Sequence, residues 1–495
     1  MSQPPLPQFF DYVKENKDCN VFPVYKYYYQ HYLTPHTAYL KLSGSTDKPT
    51  QSFLFESATN GDQVSRYSFM GILPRKVIKT GPTEGIEEDP LVLLEKEMAG
   101  VKQAQLPGIP KLSGGAIGYI SYDCIKYFEP TTRNDDLKDV LQLPESYLML
   151  CDLIVAFDNV FQRYQIINNV HISKEDTEET IKSKYEIAFA EIEKIEDVLE
   201  NGEVKYPEQP KIEKHEEFTS NIGREGYEGF VYKLKEHIKK GDVIQAVPSQ
   251  RVARPTKLHP FNIYGHLRTV NPSPYMFYID YLDFQIVGAS PELLVKSDSK
   301  NKVITHPIAG TIHRGKTIEE DDELAAELKS SLKDRAEHVM LVDLARNDIN
   351  RVCQPKTTNV DSLLQVQRFS HVMHLVSQVS GTLRSDKTRF DAFRSIFPAG
   401  TVSGAPKVRA MQIIGELEKE KRGVYAGAVG HWSYDGRTMD TCIALRTMVT
   451  KNGIAYLQAG GGIVYDSDPY DEYIETLNKM KANNDTIVSA EKLYM

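Results

Sequence analysis

Strand-like and helical segments follow one another along this chain without the regular strand–helix–strand order that builds a parallel sheet. The first third is mainly strands and turns, with short apolar runs at 52–56 (SFLFE) and 116–122 (AIGYISY). A longer apolar run at 148–157 predicts one strand that is buried on both faces. These patterns predict a large mixed α/β (α+β) core and argue against a repeat protein or a Rossmann fold.

Amphipathic helices interrupt this β-rich beginning. Apolar residues recur every three or four positions from Ser173 to Asn201, which predicts a helix with Ser173 as its N-cap and Gly202 just after its last turn. A second apolar stripe starts near Tyr227 and stops at Gly241, so a second helix is expected there.

A polar, charged stretch separates the two helices and predicts a division of the chain. We expect an N-terminal region at 1–205, a connector at 206–224 and a second region at 225–495. Within the second region, further strands are predicted at 275–281, 284–289, 303–308, 425–432, 441–449 and 453–459, and further helices at 319–332, 335–347 and 470–482.

Composition and charge exclude several classes of protein. The net charge is −9 and the basic residues are scattered, so a nucleic-acid surface is not expected. The five cysteines are far apart and form no CxxC pair, which argues against disulfides and zinc. The first residues lack a continuous apolar run, and the apolar run at 148–157 is interrupted by Asp152, so we expect a cytosolic protein without a membrane span.

Two pairs of carboxylates have the spacing of one helical face. Asp334 and Glu337 lie three apart on one predicted helix, and Glu472 and Glu475 lie three apart on another. If the two faces meet, their oxygens suit Mg²⁺, a hard cation. The alternative is that they are solvated surface charges and that Glu475 simply pairs with Lys479.

Three Gly-rich segments have the composition of tight turns or of anion-binding backbone. Gly460, Gly461 and Gly462 follow a strand-like run and allow backbone N–H groups to approach a carboxylate or phosphate. The segments 307–311 (PIAGT) and 398–407 (PAGTVSGAPK) predict rigid turns with exposed donors. Ordinary connections remain the alternative for all three.

Two basic side chains lie in apolar runs. Arg446, in IALRTMV, is predicted inside a buried strand, where its charge needs either a structural ion pair or a ligand carboxylate. His374, in HVMHLV, is by default a core histidine whose nitrogens are hydrogen-bonded.

These motifs resemble a single family when they are read together. In chain order they are GASPELL, PIAGT, RAEHVMLVDLARND, SHVMHLVSQVSG, PAGTVSGAPK, GVYAGAVGHWSYDG, DTCIALRT, QAGGGIVYDSDP and EYIETLNKMKA. This is the order found in chorismate-utilising enzymes, and the resemblance covers most of residues 225–490. It extends weakly into the N-terminal region through GGAIGYISYD. It implies a mixed α/β core of antiparallel sheets with surrounding helices.

The resemblance also implies roles for individual residues. It makes Glu337 and Glu475 the ligands of Mg²⁺, with Asp334, where a Glu is expected, and Glu472 as their outer neighbours. Glu292 matches the general acid, a role that needs a raised pKa. We expect His374 to assist the elimination of pyruvate. The positions that match the remaining contacts with chorismate or the reaction are Gly310, Thr311, Tyr425, Arg446, Gly460, Gly461, Gly462, Lys479, Gln245 and Thr401.

Two positions favour ammonia as the nucleophile. Gln245 stands where isochorismate and salicylate synthases carry a lysine that activates water, and a neutral amide cannot be a general base. Ala309 stands where many aminodeoxychorismate synthases carry a lysine that attacks the ring. The chain therefore resembles the large subunits of anthranilate synthases, which make anthranilate and pyruvate. An aminodeoxychorismate synthase component I and a catalytically inactive subunit that binds chorismate or tryptophan remain alternatives.

A possible regulatory site is implied by two further segments. The segments 54–58 (LFESA) and 271–277 (NPSPYMF) are similar to the tryptophan feedback site of anthranilate synthases. The residues that match tryptophan contacts are Glu56, Ser57, Pro274, Tyr275 and Met276, and Glu56 is expected to pair with the ammonium group of the ligand.

The source of ammonia is expected to be another protein. Glutamine hydrolysis in this setting needs a cysteine on a tight Gly-x-Cys-x-Gly turn, and none of the five cysteines is flanked in that way. We therefore predict a separate glutamine amidotransferase subunit, component II, as the partner.

Overall fold

The computed structural model describes residues 3–29, 31–46, 48–57, 66–369 and 372–495. The α-helices of this part are α1 Leu6–Glu15, α2 Pro35–Ser43, α3 Pro90–Met98, α4 Ile125–Phe128, α5 Glu178–Asn201, α6 Gly223–Lys240, α7 Pro260–Val270, α8 Ile318–Ser330, α9 Leu332–Asn350, α10 Arg389–Ile396, α11 Lys407–Glu418 and α12 Pro469–Glu491. The strands are β1 Val21–Tyr29, β2 Ser52–Glu56, β3 Tyr67–Ile72, β4 Lys76–Thr80, β5 Gly115–Ile120, β6 Ser146–Cys151, β7 Ile154–Asp158, β8 Arg163–His171, β9 Thr219–Ser220, β10 Gln245–Ala246, β11 Ser249–Pro255, β12 Tyr275–Asp280, β13 Gln285–Ser290, β14 Leu293–Ser297, β15 Lys302–Thr305, β16 Ile308–His313, β17 Asn359–Arg368, β18 Val372–Thr382, β19 Gly404–Ala405, β20 Ala428–Ser433, β21 Met439–Ile443, β22 Thr447–Lys451 and β23 Ile454–Gly460.

Two large antiparallel sheets organise these elements. The first has the strand order β1-β8-β7-β3-β2-β12-β13-β22-β23-β11-β9. The second has the order β16-β18-β15-β14-β21-β20-β5-β6-β4, with β17 added beside β18. A two-stranded ribbon joins β10 to β19. The predicted mixed fold of antiparallel sheets with surrounding helices is therefore confirmed.

One buried apolar cluster lies between the two sheets. Phe53 and Phe277 of the first sheet share one buried cluster with Ile117 and Val429 of the second. The other face of the first sheet is covered by α2, α5, α7 and α12, and the other face of the second by α3, α9 and α10. Burial of each such large apolar side chain contributes about 1.5–3 kcal/mol, which explains why both inner faces are apolar.

The chain crosses from one sheet to the other at several points, and two of these crossings correct the strand predictions. The run at 148–157 was expected to be one strand, but it is β6 in the second sheet and β7 in the first. Asp152 stands at the break, where its carboxylate pairs with Arg75 at 3.0 Å. The run at 441–449 likewise divides into β21 and β22. Apolar runs continue through a crossing because both sides of it are buried.

Smaller corrections concern the ends of elements. Thr177, not Ser173, is the N-cap of α5, because its hydroxyl accepts the N–H of Thr180. The prediction for α6 is confirmed, and Gly241 ends that helix with a left-handed φ of 82°. The predicted strand at 303–308 is two strands, β15 and β16. The last helix was predicted at 470–482, but α12 is longer and spans Pro469–Glu491.

The two predicted regions share both sheets. Strands from before and after the predicted connector at 206–224 meet where β2 pairs with β12 and where β5 pairs with β20. The boundaries at 205 and 225 stay a prediction. In the described part of the chain, no helix has the length and apolar character needed to cross a bilayer.

Removal of one aromatic ring from the core between the sheets tests its contribution to stability. Phe277→Ala is expected to lower the free energy of unfolding by about 3–5 kcal/mol, because it removes apolar contacts and leaves a cavity. The control is Phe218→Ala, since Phe218 is 42% exposed while Phe277 is 2% exposed. Urea denaturation monitored by tyrosine fluorescence measures both, and equal losses would show that the core between the sheets is not the main source of stability.

Candidate active site

The candidate site lies between the two sheets, where two neighbouring antiparallel segments both pass from one sheet to the other. One strand leaves the first sheet as β13 and enters the second as β14, and its antiparallel neighbour runs the other way from β21 to β22. Glu292 lies in the first crossing and Arg446 in the second. The crossings are tied together because Ile443 N–H donates to the Glu292 carbonyl at 3.0 Å and Ala289 N–H to the Arg446 carbonyl at 3.2 Å.

The Glu292 side chain is buried and protonated near neutral pH. It is 5% exposed, and Thr401 Oγ1 donates to its Oε1 at 2.9 Å. Burial raises the pKa of Glu292 to about 8, and the nearby charges of Arg446 and Lys479 only partly oppose this shift. A carboxylic acid with such a pKa is able to donate a proton at physiological pH, as a general acid must.

Arg446 has no ion-pair partner among the residues that the structure describes. It lies in the crossing with a left-handed φ of 48°, not inside a strand as expected. None of the ion pairs among the described residues includes its guanidinium group. Burial lowers the pKa of Arg446, and the nearby Glu292 carboxyl opposes this shift. The sequence offered two explanations for this arginine, a structural ion pair or a ligand carboxylate. The described part of the chain contains no such ion pair, so the guanidinium is available to a ligand.

His374 presents a free nitrogen lone pair to the site. It lies on β18 opposite Thr311, and its Nδ1–H donates to the Gly310 carbonyl at 3.0 Å, with Thr311 Oγ1 at 3.1 Å. Its Nε2 is buried and has no hydrogen-bond partner. Burial lowers the pKa of His374 to about 4, helped by Arg446 and Lys479. The imidazole is therefore neutral, and Nε2 is an acceptor without a donor, unlike the nitrogens of an ordinary core histidine.

The glycine turn at 460–462 is needed because side chains approach it closely. A Cβ on Gly461 would lie 2.7 Å from Glu472 Oε2, and a Cβ on Gly462 would lie 2.2 Å from Gln245 Nε2. The N–H of Gly461 is not free for an anion, since it donates to the Tyr227 hydroxyl at 3.0 Å. The turn therefore brings an amide and a carboxylate against the backbone.

Tyr425 and Lys479 flank the same turn. Burial raises the pKa of Tyr425 to about 12, so its hydroxyl keeps its proton, and the backbone N–H of Gly460 approaches that hydroxyl. Lys479 Nζ donates to the Gly460 carbonyl at 2.9 Å and forms an ion pair with Glu475 at 2.6 Å. This ion pair is the i+4 contact that the sequence offered as the alternative to a metal site.

The four predicted carboxylates have features that fit a dication. Glu337 Oε1 accepts from Gln245 Nε2 at 2.7 Å, while burial raises the pKa of Glu337 and the charges of Glu475 and Asp334 raise it further. Burial also raises the pKa of Glu472, and its Oε2 is buried without a donor.

The carboxylates thus lie close enough to repel one another, and an oxygen acceptor is unused, which fits a hard cation. Within the described ranges, no three His, Cys, Asp or Glu side chains are already gathered into a ligand cluster. Metal binding would therefore require Glu475 to exchange its contact with Lys479 for one with the ion.

Comparison with known proteins identifies the family. A family model for chorismate binding enzymes matches residues 50–485. The chain belongs to the chorismate binding enzymes. Anthranilate synthase component 1 of Saccharomyces cerevisiae is 68% identical, with 99% of this chain and 97% of its own length covered. The probable anthranilate synthase component 1 of Schizosaccharomyces pombe is 57% identical, with 99% and 98% covered.

Two solved structures extend the comparison to the fold. Anthranilate synthase component I from Streptococcus pneumoniae TIGR4 has a TM-score of 0.73 at 36% identity, with 92% of this chain and 98% of its own covered. The menaquinone-specific isochorismate synthase MenF from Escherichia coli has a TM-score of 0.69 at 17% identity, with 97% and 98% covered, and supports the fold alone. The family predicted from the ordered motifs is confirmed.

The segments predicted to bind tryptophan also meet in this chorismate binding enzyme. Glu56 of β2 lies opposite Met276 of β12. Its carboxylate is not free, because Arg268 contacts both oxygens at 2.8 and 2.9 Å and the Tyr264 hydroxyl donates to it at 2.6 Å. Ser57 and Pro274 are partly buried beside these strands, the Tyr275 hydroxyl donates to Asp440 at 3.1 Å, and Ala58 lies outside the described residues.

Two residues at the site were not predicted from the sequence. The Tyr227 hydroxyl accepts the Gly461 N–H, but in the sequence Tyr227 is one apolar position of a helical stripe. Ser290 lies beside Glu292 inside the predicted motif and gave no separate signal. Both act through hydrogen bonds to the backbone, which side-chain patterns do not reveal.

The buried acid has a measurable consequence for stability. The folded protein holds the Glu292 proton up to a pKa of about 8, whereas the ordinary value is 4.5, so the unfolded chain releases it first. Stability is therefore lost as pH rises between these two values. Glu292→Gln cannot titrate, so its free energy of unfolding is expected to exceed that of the wild type by a margin that grows by about 2 kcal/mol or more over this window.

Denaturant titrations at several pH values measure this difference. The exposed Glu323 on α8 provides the control, because Glu323→Gln removes a carboxyl that is already solvated. A constant difference between Glu292→Gln and the wild type across the window would contradict a raised pKa for Glu292.

Proposed function

We propose that this chain is the chorismate-using large subunit of anthranilate synthase, a Mg²⁺-dependent lyase that converts chorismate and ammonia into anthranilate and pyruvate. The observation that carries the proposal is the meeting of an unneutralised Arg446, a protonated Glu292 and a neutral His374 around one site. The names of the most similar relatives agree with this activity.

Chorismate binding follows from charge. The substrate carries two carboxylates, and transfer of a dianion into a partly buried site is unfavourable without positive charge or hydrogen-bond donors. Arg446 has a free guanidinium for one carboxylate, in the planar two-point contact that arginine makes with such groups. Thr311 and Tyr425 supply hydroxyls, and Lys479 supplies further positive charge.

We assign the second carboxylate of chorismate to the side of the site that is lined by acidic residues. Glu337 and Glu475 would hold Mg²⁺, with Asp334 and Glu472 behind them. When bound, the ion would neutralise the carboxylate on the ring and withdraw electrons from the ring. Gln245 holds Glu337 in place through its amide N–H, which leaves the orientation of that carboxylate fixed before any ion arrives.

Glu292 supports the amination step. The nitrogen lone pair of ammonia forms a bond to the ring carbon beside the carboxylate-bearing carbon, the ring double bonds shift, and the bond to the ring hydroxyl breaks. Glu292 donates its proton to the departing oxygen, which leaves as water. The new ammonium group then loses one proton, which restores the neutral acid at Glu292. The Thr401 hydroxyl orients the carboxyl group throughout.

His374 supports the elimination step. Its unpartnered Nε2 accepts the proton from the ring carbon that carries the new amino group. The electron pair of that C–H bond completes the aromatic ring while the bond to the enolpyruvyl oxygen breaks. The departing enolate takes the proton and becomes pyruvate. A neutral imidazole with its other nitrogen fixed by the Gly310 carbonyl is suited to this exchange.

Ammonia rather than water or a side chain is the nucleophile. The Gln245 carbonyl is buried without a partner and is able to accept a hydrogen bond from ammonia, but an amide cannot remove a proton from water. Ala309 on β16 offers no amine for covalent attack on the ring. We propose that a separate glutamine amidotransferase, component II, supplies the ammonia.

A fluorescence assay tests this function directly. With chorismate, Mg²⁺ and ammonium at alkaline pH, the chain alone is expected to produce fluorescent anthranilate, and EDTA should abolish the signal. Glu337→Gln and Glu475→Gln are expected to reduce Mg²⁺-dependent turnover by at least about tenfold, since each removes an anionic ligand. Glu323→Gln is the matched control. A 4-amino product without anthranilate would instead indicate an aminodeoxychorismate synthase, and no turnover would indicate a non-catalytic subunit.

We also propose that tryptophan inhibits the enzyme by binding at Glu56, Ser57, Pro274, Tyr275 and Met276. Because Arg268 occupies the Glu56 carboxylate, the ammonium group of tryptophan must compete with it. Arg268→Met is therefore expected to tighten tryptophan binding by about tenfold, as a charged hydrogen bond no longer has to be exchanged.

Isothermal titration with tryptophan measures this affinity. Arg346→Met is the control, because Arg346 is an exposed arginine paired with Asp343 far from these strands. Weaker binding to Arg268→Met would mean that the guanidinium supports the ligand, and unchanged binding would place the ammonium group elsewhere. Chorismate should weaken tryptophan binding by the same factor by which tryptophan weakens chorismate binding.

A further inference from the structure

Ser290 is a fully buried hydrogen-bonding node at the paired crossings. It is 0% exposed, and its hydroxyl donates to the Ile443 carbonyl at 2.6 Å while it accepts the Glu292 N–H at 3.3 Å. Its own carbonyl accepts the Ser273 hydroxyl at 2.5 Å. One side chain thus joins the turn that carries Glu292 to the strand that leads to Arg446.

The node replaces hydrogen bonds that the sheet cannot provide here. Regular pairing of β13 with β22 ends at Gly288, and pairing of β14 with β21 begins at Leu293. Pro291 lies between them and has no N–H to donate. The path of the chain through the crossing therefore depends on the side chain of Ser290 and on a few backbone contacts.

We propose that Ser290 is a positioning residue, whose hydroxyl fixes the Glu292 carboxyl in its buried place relative to Arg446. Ser273 supports the same turn from the segment proposed to bind tryptophan. The inference rests on the proposed role of Glu292 as proton donor, but the placement of the carboxyl is a separate property of the fold.

Loss of the hydroxyl has a defined consequence. In Ser290→Ala, the buried Glu292 N–H loses its partner, while the Ile443 carbonyl keeps the Leu445 N–H at 2.8 Å, so the turn shifts until the unpaired N–H finds another acceptor. The groups that face the Glu292 carboxyl are Arg446 and Lys479, with His306 and Asp348 lining a small cavity behind it. A shift admits water to the carboxyl, which then gives up its proton more easily.

The test compares Ser290→Ala with Ser297→Ala. Ser297 is a matched control, because it is 1% exposed and donates to the Arg437 carbonyl at 2.5 Å from the last position of β14, at the end of that strand away from Glu292. With saturating free ammonia at every pH, Ser290→Ala is expected to lower kcat by about tenfold or more with little change in KM for chorismate. The alkaline limb of its kcat profile should move to lower pH. Ser290→Thr, which keeps the hydroxyl, should restore both.

An infrared measurement makes the test independent of turnover. The carbonyl stretch of a buried protonated carboxyl, identified by its absence in Glu292→Gln, should be present in the wild type and in Ser297→Ala at neutral pH and reduced in Ser290→Ala. An unchanged band and pH profile in Ser290→Ala, or equal losses in Ser297→Ala, would overturn the positioning role. A wild-type chain that makes no anthranilate would count against the proposed function alone, since the band still reports on the carboxyl.

Discussion

The paired crossing of two antiparallel neighbours between stacked sheets is the constraint on which the site depends. A single crossing would leave backbone groups without partners in the core. Two neighbours that cross together satisfy each other, through the contacts of Ile443 with Glu292 and of Ala289 with Arg446. Glu292 and Arg446 lie in these two crossings, so a buried carboxylic acid and a buried guanidinium are held near each other.

The electrostatics of the site are arranged for an anion that the chain itself does not supply. Arg446 lacks a carboxylate partner within the described ranges, and the Glu292 carboxyl beside it stays protonated instead of neutralising it. On the opposite side, burial raises the pKa of Glu337, and the neighbouring carboxylates of Glu475 and Asp334 raise it further. Each arrangement lowers the stability of the free protein. A dianionic ligand bound together with a dication would neutralise both Arg446 and the carboxylates. The unfavourable electrostatics of the free site would then favour binding of the ligand and the ion.

The sequence predicted the family much better than the local structure of the candidate site. The ordered motifs identified the family because together they contain the glycines, carboxylates and basic residues of the candidate site. Apolar periodicity failed at Asp152 and Arg446, since a strand that changes sheets stays buried throughout and shows no change of pattern. The pairing of Glu56 with Arg268 was also unpredictable, because the two residues are 212 positions apart and meet only when β2 lies beside α7 and β12.

The same crossings offer a route by which a ligand bound on β12 would affect Glu292 and Arg446, which lie at the ends of the neighbouring strands β13 and β22. Tyr275, in the segment proposed to bind tryptophan, is paired with Ser290 across β12 and β13, and its hydroxyl reaches Asp440 on β21. The segment therefore contacts both crossing strands just before they change sheets. A ligand that moves β12 must move Glu292 and Arg446 together or break the serine contacts between them. If this segment binds tryptophan as proposed, the ligand would reach the Glu292 crossing through one pair of adjacent strands, β12 and β13, so the coupling would need no flexible lid.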